Sequence, residues 1–119
     1  MFTEEQKEIM IEAIQHYGVK NQINKSIEEL LELINDIQCL FHDGVIERNF
    51  SSSIEELADV KIMLWQLEKM LLRTENHKCL FNNTLEYKLI RLKNRIEIEK
   101  GTEPPENKPP EPKSDNPSD

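Results

Sequence analysis

Four acidic residues occur in two short pairs that are suited to binding a divalent cation. Glu29 and Glu32 stand three positions apart in the sequence, and so do Glu56 and Asp59. In a helix, residues three apart lie on one face, so each pair presents two carboxylates to the same side. Oxygen ligands without cysteine or histidine favour Mg²⁺, with Mn²⁺ as an alternative, over zinc. Because magnesium completes its coordination with water and phosphate oxygens, a triphosphate chain is the natural partner.

The second pair lies in an otherwise apolar segment, SSSIEELADVKIML, at residues 51–64. An ionised carboxylate on a buried face is costly unless a cation or hydrogen-bond donors meet it. Ser53 and Glu56 have the spacing of a capping box, which explains Glu56 structurally but does not explain Asp59. Glu55 is expected to point away from Asp59. The first pair, Glu29 and Glu32, is by itself typical of a solvated helix face.

Lys88, Arg91 and Arg95 form a basic ridge in a chain whose formal net charge is -8. The ridge flanks a helical stripe of apolar residues. The stripe consists of Leu85, Leu89, Leu92 and Ile96. Two interpretations fit the ridge: an anionic ligand, or a solvated face on which the stems of the basic side chains cover apolar surface.

Four helices are predicted to position these residues. The first begins at a Thr3–Gln6 capping box and ends near Tyr17, and the others extend over about 22–41, 53–73 and 80–100. Gly18, Gly44 and Gly101 each follow a helical pattern, as C-terminal caps do. No stretch alternates with a period of two for long enough to indicate a sheet. The sequence therefore predicts an all-α fold.

The third predicted helix is apolar on nearly every side, so we expect other helices to surround it. Four short helices of one chain cannot cover it completely, which predicts a four-helix bundle completed by oligomerisation. If the second and third helices pack antiparallel, the two acidic pairs face each other across a cleft. Four such carboxylates repel one another unless cations intervene.

The composition restricts the partners and the compartment. A net charge of -8 and a pI near 4.9 argue against a nucleic-acid polymer or an anionic membrane as the main partner. Cys39 and Cys79 form no paired framework or metal motif, which predicts reduced thiols that fill the interior of a cytoplasmic protein. No apolar run is long enough to span a membrane, and the first residues lack the pattern of a signal peptide.

The chain is predicted to divide into an all-α domain, residues 1–100, and a tail, residues 101–119. The tail holds all six prolines of the sequence and no large apolar residue after Gly101. Such a composition cannot offset the entropy cost of ordering, so the sequence predicts a disordered, proline-rich acidic tail.

Two segments resemble motifs of the all-α MazG-like nucleoside triphosphate pyrophosphohydrolases. KSIEELLELI (25–34) is similar to the EExxE motif of that family, and EELADVKIML (55–64) is similar to its ExxD motif. The flanking segments HYGVKNQINK (16–25) and EYKLIRLKNRI (86–96) also resemble the family, so the resemblance spans about residues 16–96. The proline-rich tail has no counterpart in it.

This resemblance implies a magnesium-dependent enzyme that cleaves a nucleoside triphosphate between the α and β phosphorus atoms, giving the monophosphate and pyrophosphate. It also implies a homodimer or a dimer of dimers, and a role in maintaining the nucleotide pool. The implied metal ligands are Glu29, Glu32, Glu56 and Asp59. Glu28 or Glu29 would orient and deprotonate the attacking water.

The resemblance further implies which residues bind the substrate. Lys88, Arg91 and Arg95, together with Lys25, would neutralise phosphate charge, and Gln22 is a candidate for contacting the base. The base and the sugar stay open.

Two alternatives stay open at the level of sequence. A non-catalytic helical adaptor would use the apolar third helix as an assembly interface and the acidic residues as helix caps. A dUTP-specific all-α hydrolase would differ in substrate and not in chemistry. The intact spacing of all four acidic residues favours an enzyme over the adaptor.

Overall fold

The computed structural model describes residues 1–40 and 50–101, and within those two ranges it contains four α-helices and no strand. The helices are α1 Glu4–Tyr17, α2 Val19–Leu40, α3 Phe50–Leu71 and α4 Glu75–Glu99. The predicted all-α class is therefore confirmed for the described residues. The predicted helix end at Phe41, the predicted cap at Gly44 and residues 102–119 of the predicted tail lie outside those ranges.

Helix α1 begins and ends at the residues that the sequence indicates. The Thr3 hydroxyl accepts a hydrogen bond from the Gln6 amide at 3.1 Å, and the Gln6 side-chain oxygen accepts one from the Thr3 amide at 2.9 Å. Gly18 alone separates α1 from α2 and has a φ of 90°. Glycine adopts this conformation without the steric cost that a β-carbon would add. Its amide donates to the Ile14 carbonyl oxygen at 2.9 Å, which closes the last turn.

The starts of α3 and α4 differ from the prediction. Because α3 already begins at Phe50, Ser53 lies inside the helix, and its buried hydroxyl has no hydrogen-bond partner. The predicted capping box of Ser53 and Glu56 is therefore wrong. Helix α4 begins at Glu75, earlier than the predicted Leu80, because the Thr74 hydroxyl caps it by accepting a hydrogen bond from the His77 amide at 3.1 Å.

The chain divides into two units, Met1–Leu71 with α1 to α3, and Leu72–Asp119 with α4. In the first unit, α2 and α3 pack along each other, and α1 packs against both. Gln22, near the start of α2, bonds to Gln66, near the end of α3, whereas Asp36 of α2 accepts a hydrogen bond from Ser52 of α3. Residues early in α2 thus bond to residues late in α3, and residues late in α2 bond to residues early in α3. The two helices are therefore antiparallel.

Much of the apolar surface of the first unit is exposed. On α2 the exposed apolar residues include Ile27, Leu31, Ile34 and Ile37, and on α3 they include Ile54, Leu57, Leu64 and Leu71. Their exposed fractions lie between 44% and 60%. The buried apolar residues of these helices are fewer: Leu40, Val60 and Met70. The described part of the chain thus leaves one side of α3 uncovered, and the predicted completion of the bundle by oligomerisation stays a prediction.

The cysteines do not fill the interior. Cys39 and Cys79 are both free thiols and both exposed. The prediction of interior positions for them is wrong, because each lies on the outward side of its helix. None of the helices in residues 1–40 and 50–101 combines the length and apolar character needed to cross a membrane.

Candidate functional site

The carboxylates of Glu29, Glu32 and Glu56 converge between α2 and α3. Each residue offers one oxygen atom, and these three oxygens lie within 4.8 Å of one another. Glu29 is buried, Glu56 is half-buried and Glu32 is exposed. The antiparallel packing of α2 on α3 produces this convergence, because it sets the two acidic segments opposite each other.

The interpretation of the first acidic pair as a solvated helix face is wrong for Glu29. Its exposed fraction is 6%, whereas Leu31, on the apolar side of the same helix, is 57% exposed. Helix α2 is therefore rotated about its axis so that an acidic residue, and not the strongest apolar stripe, faces α3.

Asp59, the second residue of the second pair, is exposed and lies near Glu29, but it is not one of the three converging carboxylates. Partial removal from solvent raises the pKa of Asp59 above its ordinary value, and the charge of Glu29 and a hydrogen bond with it raise the pKa further. The charge of Glu55 also raises the pKa of Asp59. The expectation that Glu55 points away from Asp59 therefore does not make the two residues electrostatically independent. Lys25 acts in the opposite direction. A proton is thus held more tightly at this carboxyl than on an isolated aspartate.

Glu56 is the most perturbed carboxyl of the cluster. Its pKa is raised from the ordinary 4.5 to about 7, chiefly by loss of solvent and then by the charge of Glu32, a hydrogen bond with Glu32, and the charges of Glu29 and Asp59.

Lys25 provides positive charge at one edge of the cluster. Its ammonium group lies 3.0 Å from Glu29 Oε1 and 3.7 Å from Oε2 of the exposed Glu28. These contacts raise the pKa of Lys25, chiefly through the hydrogen bond and the charge of Glu29. Lys25 serves one oxygen of Glu29 and leaves the second without a partner.

Two carboxylate oxygens of the cluster are shielded from solvent and lack a hydrogen-bond donor. They are Glu29 Oε2 and Glu56 Oε2. A buried carboxylate oxygen normally accepts hydrogen bonds or coordinates a cation, and leaving it unpaired costs stability. The donor set, all oxygen and net negative, is of the kind that Mg²⁺ or Mn²⁺ prefers. The residues present therefore fit a hard divalent cation.

An open pocket of about 560 Å³ adjoins the acidic cluster. Gln22, Lys25 and Gln66 are among its lining residues. Lys25 connects the pocket to the cluster, because the same side chain also bonds to Glu29. The predicted ligand-contacting residue Gln22 thus shares a pocket with Lys25, whereas none of the predicted metal ligands lines it.

The basic ridge belongs to a different unit from the acidic cluster. Lys88, Arg91 and Arg95 are exposed on α4, in the unit Leu72–Asp119. Their predicted approach to a substrate held by the carboxylates stays a prediction.

Gln66 and Ser26 are buried polar residues of the first unit that the sequence did not indicate. Gln66 donates through Nε2 to the Met10 carbonyl oxygen at 2.9 Å and accepts at Oε1 from Gln22 Nε2 at 3.1 Å. Ser26 is fully buried, and its hydroxyl donates to the Gln22 carbonyl oxygen at 2.8 Å. Gln66 is the one amide side chain in α3, and its presence in this apolar helix is the sequence signal that could have identified it.

Comparison of the chain with models of protein families, with curated proteins and with solved structures finds no match.

Proposed function

We infer that the protein is a metal-dependent nucleoside triphosphate pyrophosphohydrolase, which cleaves a ribo- or deoxyribonucleoside triphosphate to its monophosphate and pyrophosphate. The observation that carries this proposal is the convergence of Glu29, Glu32 and Glu56, with two buried carboxylate oxygens that lack donors. The motif resemblance to the MazG-like enzymes is its second support, and it supplies the reaction and the substrate class.

In this proposal Glu29, Glu32, Glu56 and Asp59 hold Mg²⁺, or Mn²⁺ in its place. When bound, the metal supplies positive charge that offsets the carboxylates and the substrate phosphates and lowers the pKa of a water molecule. The unpaired oxygens of Glu29 and Glu56 are the atoms that gain most from a cation.

The chain's own residues then have separate roles. Glu28 or Glu29 orients the attacking water and takes its proton while the bond between the α and β phosphates breaks. Lys25 holds Glu29 Oε1, which fixes the direction of that carboxylate. Lys88, Arg91 and Arg95, together with Lys25, are proposed to neutralise phosphate charge that develops in the transition state, as the motif resemblance implies. Gln22 contacts the base from the adjoining pocket.

The active protein is a homodimer or a dimer of dimers in this proposal. The support is the row of half-exposed apolar side chains on α2 and α3, of which Leu31 and Leu57 are 57% and 59% exposed. Apolar surface of this extent is stabilised when a second copy covers it.

The same exposed surface favours one other candidate, a non-catalytic helical adaptor that binds partner helices. The two functions differ in what the carboxylates do. In the enzyme they bind metal and substrate, whereas in the adaptor their removal leaves every activity of the protein unchanged.

Incubation of the purified protein with each nucleoside triphosphate and Mg²⁺, followed by separation of the products, tests the proposal. We expect pyrophosphate and a monophosphate from at least one nucleotide. Orthophosphate as the first product would refute the assigned reaction. Inactivity over a broad panel of canonical and modified nucleotides would favour the adaptor.

A further inference from the structure

Gln66 is a fully buried polar side chain of the first unit. Its exposed fraction is 1%, and it is the largest of the fully buried side chains. A buried amide costs free energy unless its donors and acceptors are satisfied. A leucine or methionine would fill this space without needing partners. The glutamine therefore contributes its hydrogen bonds as well as its volume.

The hydrogen bonds of Gln66 determine how the side chain of Gln22 is oriented. The Met10 carbonyl oxygen can only accept, so the NH₂ group of Gln66 must face it, at 2.9 Å. The oxygen of Gln66 then faces Gln22, and the NH₂ group of Gln22 must donate to it, at 3.1 Å. A backbone carbonyl of α1 thereby sets the direction of both amides, and neither can flip without losing a bond.

One side of the Gln22 amide stays available to a ligand. Its Oε1 accepts no hydrogen bond within residues 1–40 and 50–101, and the second hydrogen on Nε2 is not needed by Gln66. Gln22 and Gln66 both line the pocket of about 560 Å³. Pockets of this size accommodate small organic ligands.

Asn21 repeats the pattern at the next position of α2. Its Nδ2 donates to the Tyr17 carbonyl oxygen at 2.8 Å, and Asn21 also lines the pocket. Two neighbouring amides thus have their NH₂ groups engaged and their oxygens available as acceptors. A ligand that donates hydrogen bonds from an amino group would complement these two acceptor oxygens.

We propose that Gln66 is a positioning residue for nucleobase selection. It holds Gln22 so that Oε1 accepts from an exocyclic amino group and Nε2 donates to the adjacent ring nitrogen. Adenine and cytosine present this pair of groups, whereas uracil and thymine present a carbonyl oxygen in place of the amino group. The proposal rests on the pyrophosphohydrolase function inferred above, and it selects amino-bearing bases as substrates.

The test compares kcat/KM for dCTP and dUTP, which differ in the amino and carbonyl groups at position 4. A matched bidentate contact discriminates between bases by about tenfold or more. We expect the parent to prefer dCTP by about that factor. In Gln66→Met, which preserves volume but releases Gln22, the preference should fall to about unity while hydrolysis of dUTP persists.

Met70→Ala is the matched control, because Met70 is also buried on α3, one turn beyond Gln66, and is not one of the residues that line the pocket. It should lower stability and leave the ratio of the two kcat/KM values unchanged. If Gln66→Met gives no cooperative melt, Gln66→Leu takes its place in the same comparison, and Gln22→Met, which removes the base contact itself, should also lose the preference.

The outcomes separate the inference from the function on which it rests. A parent that hydrolyses dCTP and dUTP equally well, or a folded Gln66→Met that keeps the parent's preference, overturns the positioning role while the enzyme assignment stands. A parent that hydrolyses neither nucleotide nor any other triphosphate overturns both.

Discussion

The carboxyl group of Glu56 should titrate near pH 7 in the metal-free protein. Its pKa is raised from 4.5 to about 7, first by loss of solvent and then by Glu32. This difference corresponds to a roughly 300-fold tighter hold on the proton. At pH 7 about half of the Glu56 carboxyls are then protonated, whereas an ordinary glutamate is almost completely ionised.

The perturbation that tests this arrangement is Glu32→Gln. It removes the charge that contributes most to the raised pKa of Glu56 after desolvation. The midpoint should therefore move down from about 7 but stay above 4.5, because burial of Glu56 is unchanged. The assay is NMR of protein carrying ¹³C in the glutamate carboxyl groups, titrated in the presence of chelator. Glu68→Gln, a change on the exposed side of α3, is the control and should leave the midpoint in place.

The same group gives a defined dependence of stability on pH. Because its folded-state pKa lies above its unfolded-state pKa, the contribution of Glu56 to stability is fully present below pH 4.5 and is lost as the pH rises through about 7. In chelator, the melting temperature should fall across this window, and Glu56→Gln should flatten the fall. Mg²⁺ should restore part of the lost stability at pH 7, because it binds only the folded arrangement.

Two results would refute the reasoning. A Glu56 midpoint near 4.5 in the parent would mean that the carboxyl is neither desolvated nor close to Glu32. A raised midpoint that Glu32→Gln leaves unchanged would mean that the acidic residues do not converge as described.

Four further changes test the remaining interpretations. In chelator, Asp59→Asn should melt at the parent's temperature or higher; its melting temperature should rise less on addition of Mg²⁺, and it should lose most turnover. Glu68→Gln should resemble the parent in all three measurements. Unfolding of Asp59→Asn in chelator would contradict the metal role. Ser53→Ala should not lower the melting temperature, because its hydroxyl has no partner, whereas loss of a true helix cap would cost about 1 kcal/mol. Light scattering at micromolar concentration should give a dimer or tetramer, and Ile34→Glu on the exposed apolar side of α2 should shift the mass toward the monomer; a monomeric parent would refute the oligomer. Truncation after Gly101 should preserve assembly and turnover, and loss of either would show that the tail participates.

The sequence by itself determined the helices, because the signals for them are local. Thr3 and Gln6 satisfy the first amides of α1 from within one turn, and Gly18 ends the helix because glycine tolerates a φ of 90°. Periodic apolar residues then predict where helices form. The start of α3 was not determined in this way, because the helix begins at Phe50 although Ser53 has the sequence pattern of a cap.

Only the tertiary structure decided which face of each helix is buried. A helical pattern gives the relative directions of side chains but not the rotation of the helix against its neighbours. On α2 the pattern favoured burying the side that contains Leu31, yet Glu29 is buried and Leu31 is exposed. Lys25 places a cation against one oxygen of Glu29, which offsets part of the cost of burying that carboxylate.

The pairing of Gln22 with Gln66 also required the tertiary structure. These residues lie 44 positions apart in the sequence, and neither carries a local signal for the other. Their bond exists because the packing of α1 brings the Met10 carbonyl oxygen to the other end of the Gln66 amide. Burying the Gln66 amide costs little only because both of its polar atoms have partners, and those partners come from two other helices, α1 and α2.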